Sequence, residues 1–100
     1  MTRIYDLVAD ETGEEHLWTH GLYVEDAYQV VDEGRYKVFA DDGHDDRVKV
    51  VGPDKGGRLL TVVVAPPDRH GTARVITGWP ADQEEQNAWS RAGGTQHVRR

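Results

Sequence analysis

From Arg47 to Trp79 the chain reads "RVKVVGPDKGGRLLTVVVAPPDRHGTARVITGW", three apolar segments separated by two turn-forming clusters. This stretch constrains the fold more than any other. In "RVKVV", Arg47 and Lys49 fall on one face and Val48 and Val50 on the other, the period-two signature of a strand. "RLLTVVVA" is the most continuously apolar segment, as expected of a central strand. "GPDKGG" and "PPDRHG" supply the glycine and proline that break strands and form turns. Links this short join antiparallel neighbours, because a parallel pair needs a crossover of about a dozen residues or more.

The first third reads differently. "RIYDLVA" can form a strand, and "TGEEHLWTHG" a short helix with Thr12 and Glu15 at capping-box spacing and Gly21 at its stop. "YVEDAYQVVDEG" places Ala27, Val30 and Val31 on one helical face and ends at Gly34. "RYKVFA" then begins the alternating half through the turn "DDGHDD", and after Trp79 a last helix starts at Pro80, a residue suited to a first helical turn. The expected fold is α+β: an antiparallel sheet of three to four strands with N-terminal helices and a C-terminal helix packed on one face. Residues 1–93 form one domain in this reading and 94–100 a disordered tail.

Composition removes several function classes. With no cysteine, disulfides, thiolate zinc sites and cysteine nucleophiles are excluded. No apolar run approaches the roughly 20 residues that span a bilayer, and "MTRIYDLVADETGEE" has no apolar signal region, so a cytoplasmic protein is expected. Charge is uneven: up to Asp46 there are 13 acidic and 3 basic residues, and from Arg47 onward 5 acidic and 9 basic. The second half suits a polyanion, while the first half suits solvent or a basic partner.

Several clusters lend themselves to chemistry. His16 and His20 would share a helix face as metal ligands often do, but no third ligand is convincingly spaced, so no metal site is assigned and no cofactor is expected. "DDGHDD" lacks the spacing and closing glutamate of a calcium loop and reads as a solvated hairpin turn, although His44 within it could move a proton. The glycines of "GPDKGG" join strands and lack the ending of a phosphate loop. Arg47, Arg58 and Arg74 each open a strand; gathered on one sheet face they would form a phosphate clamp, and otherwise they pair with the plentiful aspartates.

In order and spacing, "HGLYVEDAYQVVD", "DDRVKVVG", "GGRLLTVVV" and "RVITGWPA", with Glu85 and Trp89 in the last helix, resemble the BrnT toxins, compact relatives of RelE-type ribonucleases. The resemblance spans His20 to Trp89. It implies a RelE-like fold and the toxin half of a type II toxin–antitoxin pair. It also implies metal-independent cleavage of single-stranded RNA and neutralisation by a cognate antitoxin, which oligomerises with it. By position, Arg47, Arg58 and Arg74 match the family's catalytic arginines, with Lys49, Trp79 and His44 as contacts to RNA or partner.

The chain departs from the family at Trp79, where an arginine is usual, and at Asp82, Gln83 and Gln86, where basic residues are usual. Tryptophan cannot neutralise a phosphate oxygen. It can stack on an unpaired base, an interaction of about 1–3 kcal/mol, anchor a protein interface, or close a core corner. Two readings therefore stay open: a metal-independent endoribonuclease, and a non-catalytic relative retained as a protein-binding module.

Overall fold

The computed structural model describes residues 3–94. Its elements are β1 (Asp6–Val8), α1 (Glu11–Thr19), α2 (Val24–Glu33), β2 (Lys37–Asp41), β3 (His44–Pro53), β4 (Leu59–Val64), β5 (Thr72–Pro80) and α3 (Gln83–Arg91). The strands form one sheet in the order β1-β5-β4-β3-β2. β2 to β5 are antiparallel neighbours, as the short turns require. β1 instead runs parallel to β5, pairing Asp6–Val8 with Thr72–Arg74. The sheet thus has five strands and is mixed, against the expectation of three or four antiparallel ones. The two helices between β1 and β2 let the chain return to the far edge, and the edge strand enters too short to show an alternating pattern.

Alternation decides what each sheet face carries. Val50 of β3, Leu60, Val62 and Val64 of β4, and Ala73 and Val75 of β5 point to one side. There they join Leu7, Leu17, Leu22, Ala27 and Val30 in the main core beneath α1 and α2. Residues of the other parity, Phe39, Val51 and Leu59, meet Ala81 and Trp89 in a second cluster under α3. Helices therefore cover both faces, which corrects the one-sided packing expected above. The last helix also begins later than expected: Pro80 ends β5, and Asp82 caps α3 by accepting from Glu85 N at 2.8 Å while Glu85 reaches back to Asp82 N at 3.0 Å. α1 begins earlier, capped by Asp10 rather than Thr12, with Gly13 N at 2.8 Å from Asp10 Oδ1.

Two glycines let α1 press on the sheet. A Cβ at Gly13 would lie 2.6 Å from the Val75 carbonyl oxygen, and one at Gly78 2.9 Å from both Leu17 Cδ2 and the Thr61 carbonyl oxygen. Of the tail assigned to 94–100, only Gly94 falls among the described residues; the rest lies outside them.

Candidate functional site

The α3 face of the sheet is only half covered. At the α3 end, Val51, Thr61 and Trp79 form a cross-strand row, and Lys49, Val63 and Thr77 form the next. Beyond them Arg47 precedes Val48, the partner of Val64, while Ala65 N donates to the Arg74 carbonyl at 2.9 Å. Arg47 and Arg74 therefore flank the small side chain of Ala65, two strand spacings or roughly 10 Å apart. Arg58 lies elsewhere. Its Nε reaches Asp54 Oδ2 at 3.2 Å and its Nη2 reaches Asp26 Oδ1 at 3.5 Å, so it ties the β3–β4 turn to α2 beneath the opposite face. The turn carries Asp54, whose Oδ1 also accepts from Gly56 N and Arg58 N at 2.9 Å each. The structure thus brings Arg47 and Arg74 into one region and leaves Arg58 out of it, because local aspartates claim its guanidinium. His44 is exposed on the β2–β3 hairpin.

At the centre of the covered half sits a buried carboxylate. Glu85 accepts from Thr61 Oγ1 at 2.9 Å, from Trp79 Nε1 at 3.0 and 3.2 Å, and from Lys49 Nζ at 3.3 Å, besides the capping contact. Burial pushes its carboxyl up, the largest single influence. The hydrogen bonds from Asp82 N, Thr61, Trp79 and Lys49 together outweigh it and hold the group below its ordinary value of 4.5. Trp79, placed where arginine was expected, is half-buried with its indole N–H committed to this carboxylate. Lys49, expected to contact RNA or a partner, likewise spends part of its charge here.

The open half holds a cleft of about 240 Å³ lined by His16, Thr19, His20, Arg47, Ile76 and Thr77. It is built by α1, which lies along the part of β5 that β1 leaves unpaired. A bulge in the β4–β5 ladder makes Ile76 the extra residue, since Val63 pairs with Thr77 and Val64 with Val75. The Ile76 carbonyl meets His16 Nδ1 at 2.9 Å. A carbonyl only accepts, so Nδ1 carries the proton, and in the neutral ring Nε2 keeps its lone pair. His20, the C-cap of α1, sets its ring edge against Trp79 with centroids 5.8 Å apart.

Arg47 Nε is buried without a hydrogen bond, and Asp46 Oδ1, at 3.6 Å, offers a charge contact too long to be one. A guanidinium so sparsely engaged at a cleft has donors left for an anion. Sequence reasoning weighed His16 and His20 together as metal ligands and missed that they line one cleft with Arg47. Their four-residue spacing was the available signal, and the β5 bulge that aims Ile76 at His16 has no sequence mark. Among the described residues no group of three or more His, Asp or Glu is arranged to hold a metal.

No protein-family model matches the chain, and no curated protein matches it. Among solved structures, the ribonuclease toxin BrnT of Brucella abortus superposes with a TM-score of 0.59 at 23% sequence identity. The match covers 78% of this chain and 97% of that one. A likeness at this identity establishes a shared α+β fold, the one the sequence pattern suggested. Among the described residues no helix is long and apolar enough to cross a membrane.

Proposed function

We propose that this chain is a BrnT-like toxin of a type II toxin–antitoxin pair, acting in the cytoplasm as a metal-independent endoribonuclease on single-stranded RNA. The observation that carries the reading is the cleft in which Arg47 meets His16 and His20, in a fold shared with a ribonuclease toxin. In this chemistry a ribose 2′-oxygen attacks the adjacent phosphorus and gives up its proton to the Nε2 lone pair of His16. The bond from phosphorus to the 5′-oxygen breaks, and that oxygen takes a proton from His20 acting as the general acid. The products are a 2′,3′-cyclic phosphate and a 5′-hydroxyl. Arg47 faces the charge that builds on the phosphoryl oxygens, and Arg74 lies along the path of the neighbouring backbone. Arg58 and His44 have no part in this reading.

The test is cleavage of a mixed single-stranded RNA in EDTA by the wild type and by His20→Ala and Arg47→Ala. Wild-type cleavage to cyclic-phosphate ends is expected. Loss of one proton-transfer group should lower the rate by about 10²–10⁴-fold. Expression should also arrest growth, with relief by the cognate antitoxin. RNA left intact by folded protein, both alone and with ribosomes, would refute the proposal. That result would favour the second reading, a protein-binding module, which the replacement of a cation by an indole bonded to Glu85 supports.

A further inference from the structure

On the far side of α1 from the histidines the surface changes character. At 100° per residue, Glu11, Glu14, Glu15 and Trp18 project roughly opposite to His16 and His20. Trp18 is 63% exposed and Tyr23 59% exposed, and their rings pair at 5.4 Å with a tilt of 47°. The two aromatics and Glu11, Glu14, Glu15 and Glu25 line a groove of about 510 Å³. Among the described residues none of these four glutamates has a cation within ion-pair distance.

Neither feature is explained by the fold. Glu11 and Glu14 suit the first turn of α1 and Glu25 that of α2, but helix ends do not require that all three gather with Glu15 around an aromatic pair that reaches no core. Tyr23 is the N-cap of α2, a position where serine, threonine, aspartate or asparagine would serve the helix better. Here the cap falls to Asp26, whose Oδ2 accepts from Tyr23 N at 2.8 Å, and the ring is left in solvent. A contiguous exposed aromatic patch with a polar rim marks an interaction surface, and Trp and Tyr are frequent anchors.

We propose that this groove docks a protein partner through a cationic amphipathic segment, an apolar residue seated on Trp18 and Tyr23 with lysines or arginines facing the glutamates. Charge complementarity selects that occupant: four uncompensated carboxylates repel an acidic segment or a nucleic acid and steer a basic one. The surface is separate from the cleft at Arg47, so the inference stands whether or not the protein cleaves RNA.

The probe is a fluorescein-labelled helical peptide with leucine at i, i+3, i+4 and i+7 and lysine elsewhere, compared with the same peptide carrying glutamate for lysine. Anisotropy with the full chain should show saturable binding of the lysine peptide alone. Trp18→Ala leaves the net charge intact and should weaken binding by roughly tenfold or more. Glu14→Lys with Glu15→Lys should abolish binding, while Asp42→Lys with Asp45→Lys on the β2–β3 hairpin, an equal change in net charge, should largely preserve it. The proposal is overturned if Trp18→Ala binds like the wild type, if both double variants lose binding equally, or if neither peptide binds. It is also overturned if sedimentation shows a dimer that Trp18→Ala dissociates, since the occupant would then be a second copy of the chain.

Discussion

Replacing Glu85 by alanine removes the acceptor shared by Thr61, Trp79, Lys49 and Asp82 N. Two effects set the magnitude. A buried donor left without a partner costs about 1–3 kcal/mol, and breaking a buried ion pair by removing one partner costs about 3–5 kcal/mol. The upper figure is too large here, because the Lys49 side chain is 27% exposed and its ammonium can return to water. Thr61 has no such route, being 0% exposed. A loss of about 3 kcal/mol follows, which for a domain of this size lowers Tm by about 12–24 °C. Glu85→Gln keeps one acceptor oxygen and gives up the charge, so a loss of about 1–1.5 kcal/mol is expected. Thermal unfolding of the three proteins at pH 7 by circular dichroism decides the matter. If the alanine variant melts within about 3 °C of wild type, or the glutamine variant melts no higher than the alanine one, the carboxylate does not organise this corner.

The same carboxylate gives a pH signature. Its folded-state pKa is lowered, so the unfolded chain binds more protons in the acid range. Its contribution to stability is present above the ordinary carboxylate value and is lost as pH falls through the folded one. Melting temperatures between pH 7 and pH 3 should therefore fall less in Glu85→Gln than in wild type; equal falls would count against the hub. Asp68, held low by the backbone N–H groups of Thr72 and His70, should decline in the same direction in both proteins. Gly13→Ala sets two effects against each other: helix propensity favours alanine by about 1 kcal/mol, whereas a Cβ 2.6 Å from the Val75 carbonyl oxygen overpacks the site at a cost of about 1–3 kcal/mol. Destabilisation in urea is expected, and a rise in midpoint would show that α1 shifts freely. Trp79→Phe deletes the indole N–H and should cost about 1 kcal/mol, with most of that loss absent in a Glu85→Gln background if the two residues act as a pair.

The strands from Arg47 to Trp79 were legible because alternation and breaker residues report directly on a sheet half covered on each side. β1 was legible as a strand but not in its direction. A three-residue parallel edge is fixed by where α1 and α2 carry the chain, and composition does not record that. The site was read less completely. Arg47 and Arg74 were singled out for opening strands, and register places them near one another. Arg58 satisfied the same criterion, yet Asp54 and Asp26 engage it, a tertiary choice among many aspartates. His16 and His20 were visible as a pair, but their approach to Arg47 depends on a bulge at Ile76 that no residue type demands. Glu85 was noted through resemblance alone. Nothing in "ADQEEQNAW" separates it from Glu84 except the capping-box spacing from Asp82, a signal the proline at position 80 obscured.

Because β1 covers only three residues of β5, the backbone from Val75 to Trp79 would be an open strand edge if α1 were not laid against it. His16 fills part of that role by bonding the Ile76 carbonyl. One helix thus both shields an edge that could recruit a strand from another molecule and delivers the two imidazoles of the cleft. Any opening of α1 would dismantle the cleft and uncover an aggregation-prone ribbon in one event. Conditions that detach α1 reversibly should then seed intermolecular β-structure at high concentration, detectable by thioflavin fluorescence, and a soluble, α1-detached species should not accumulate.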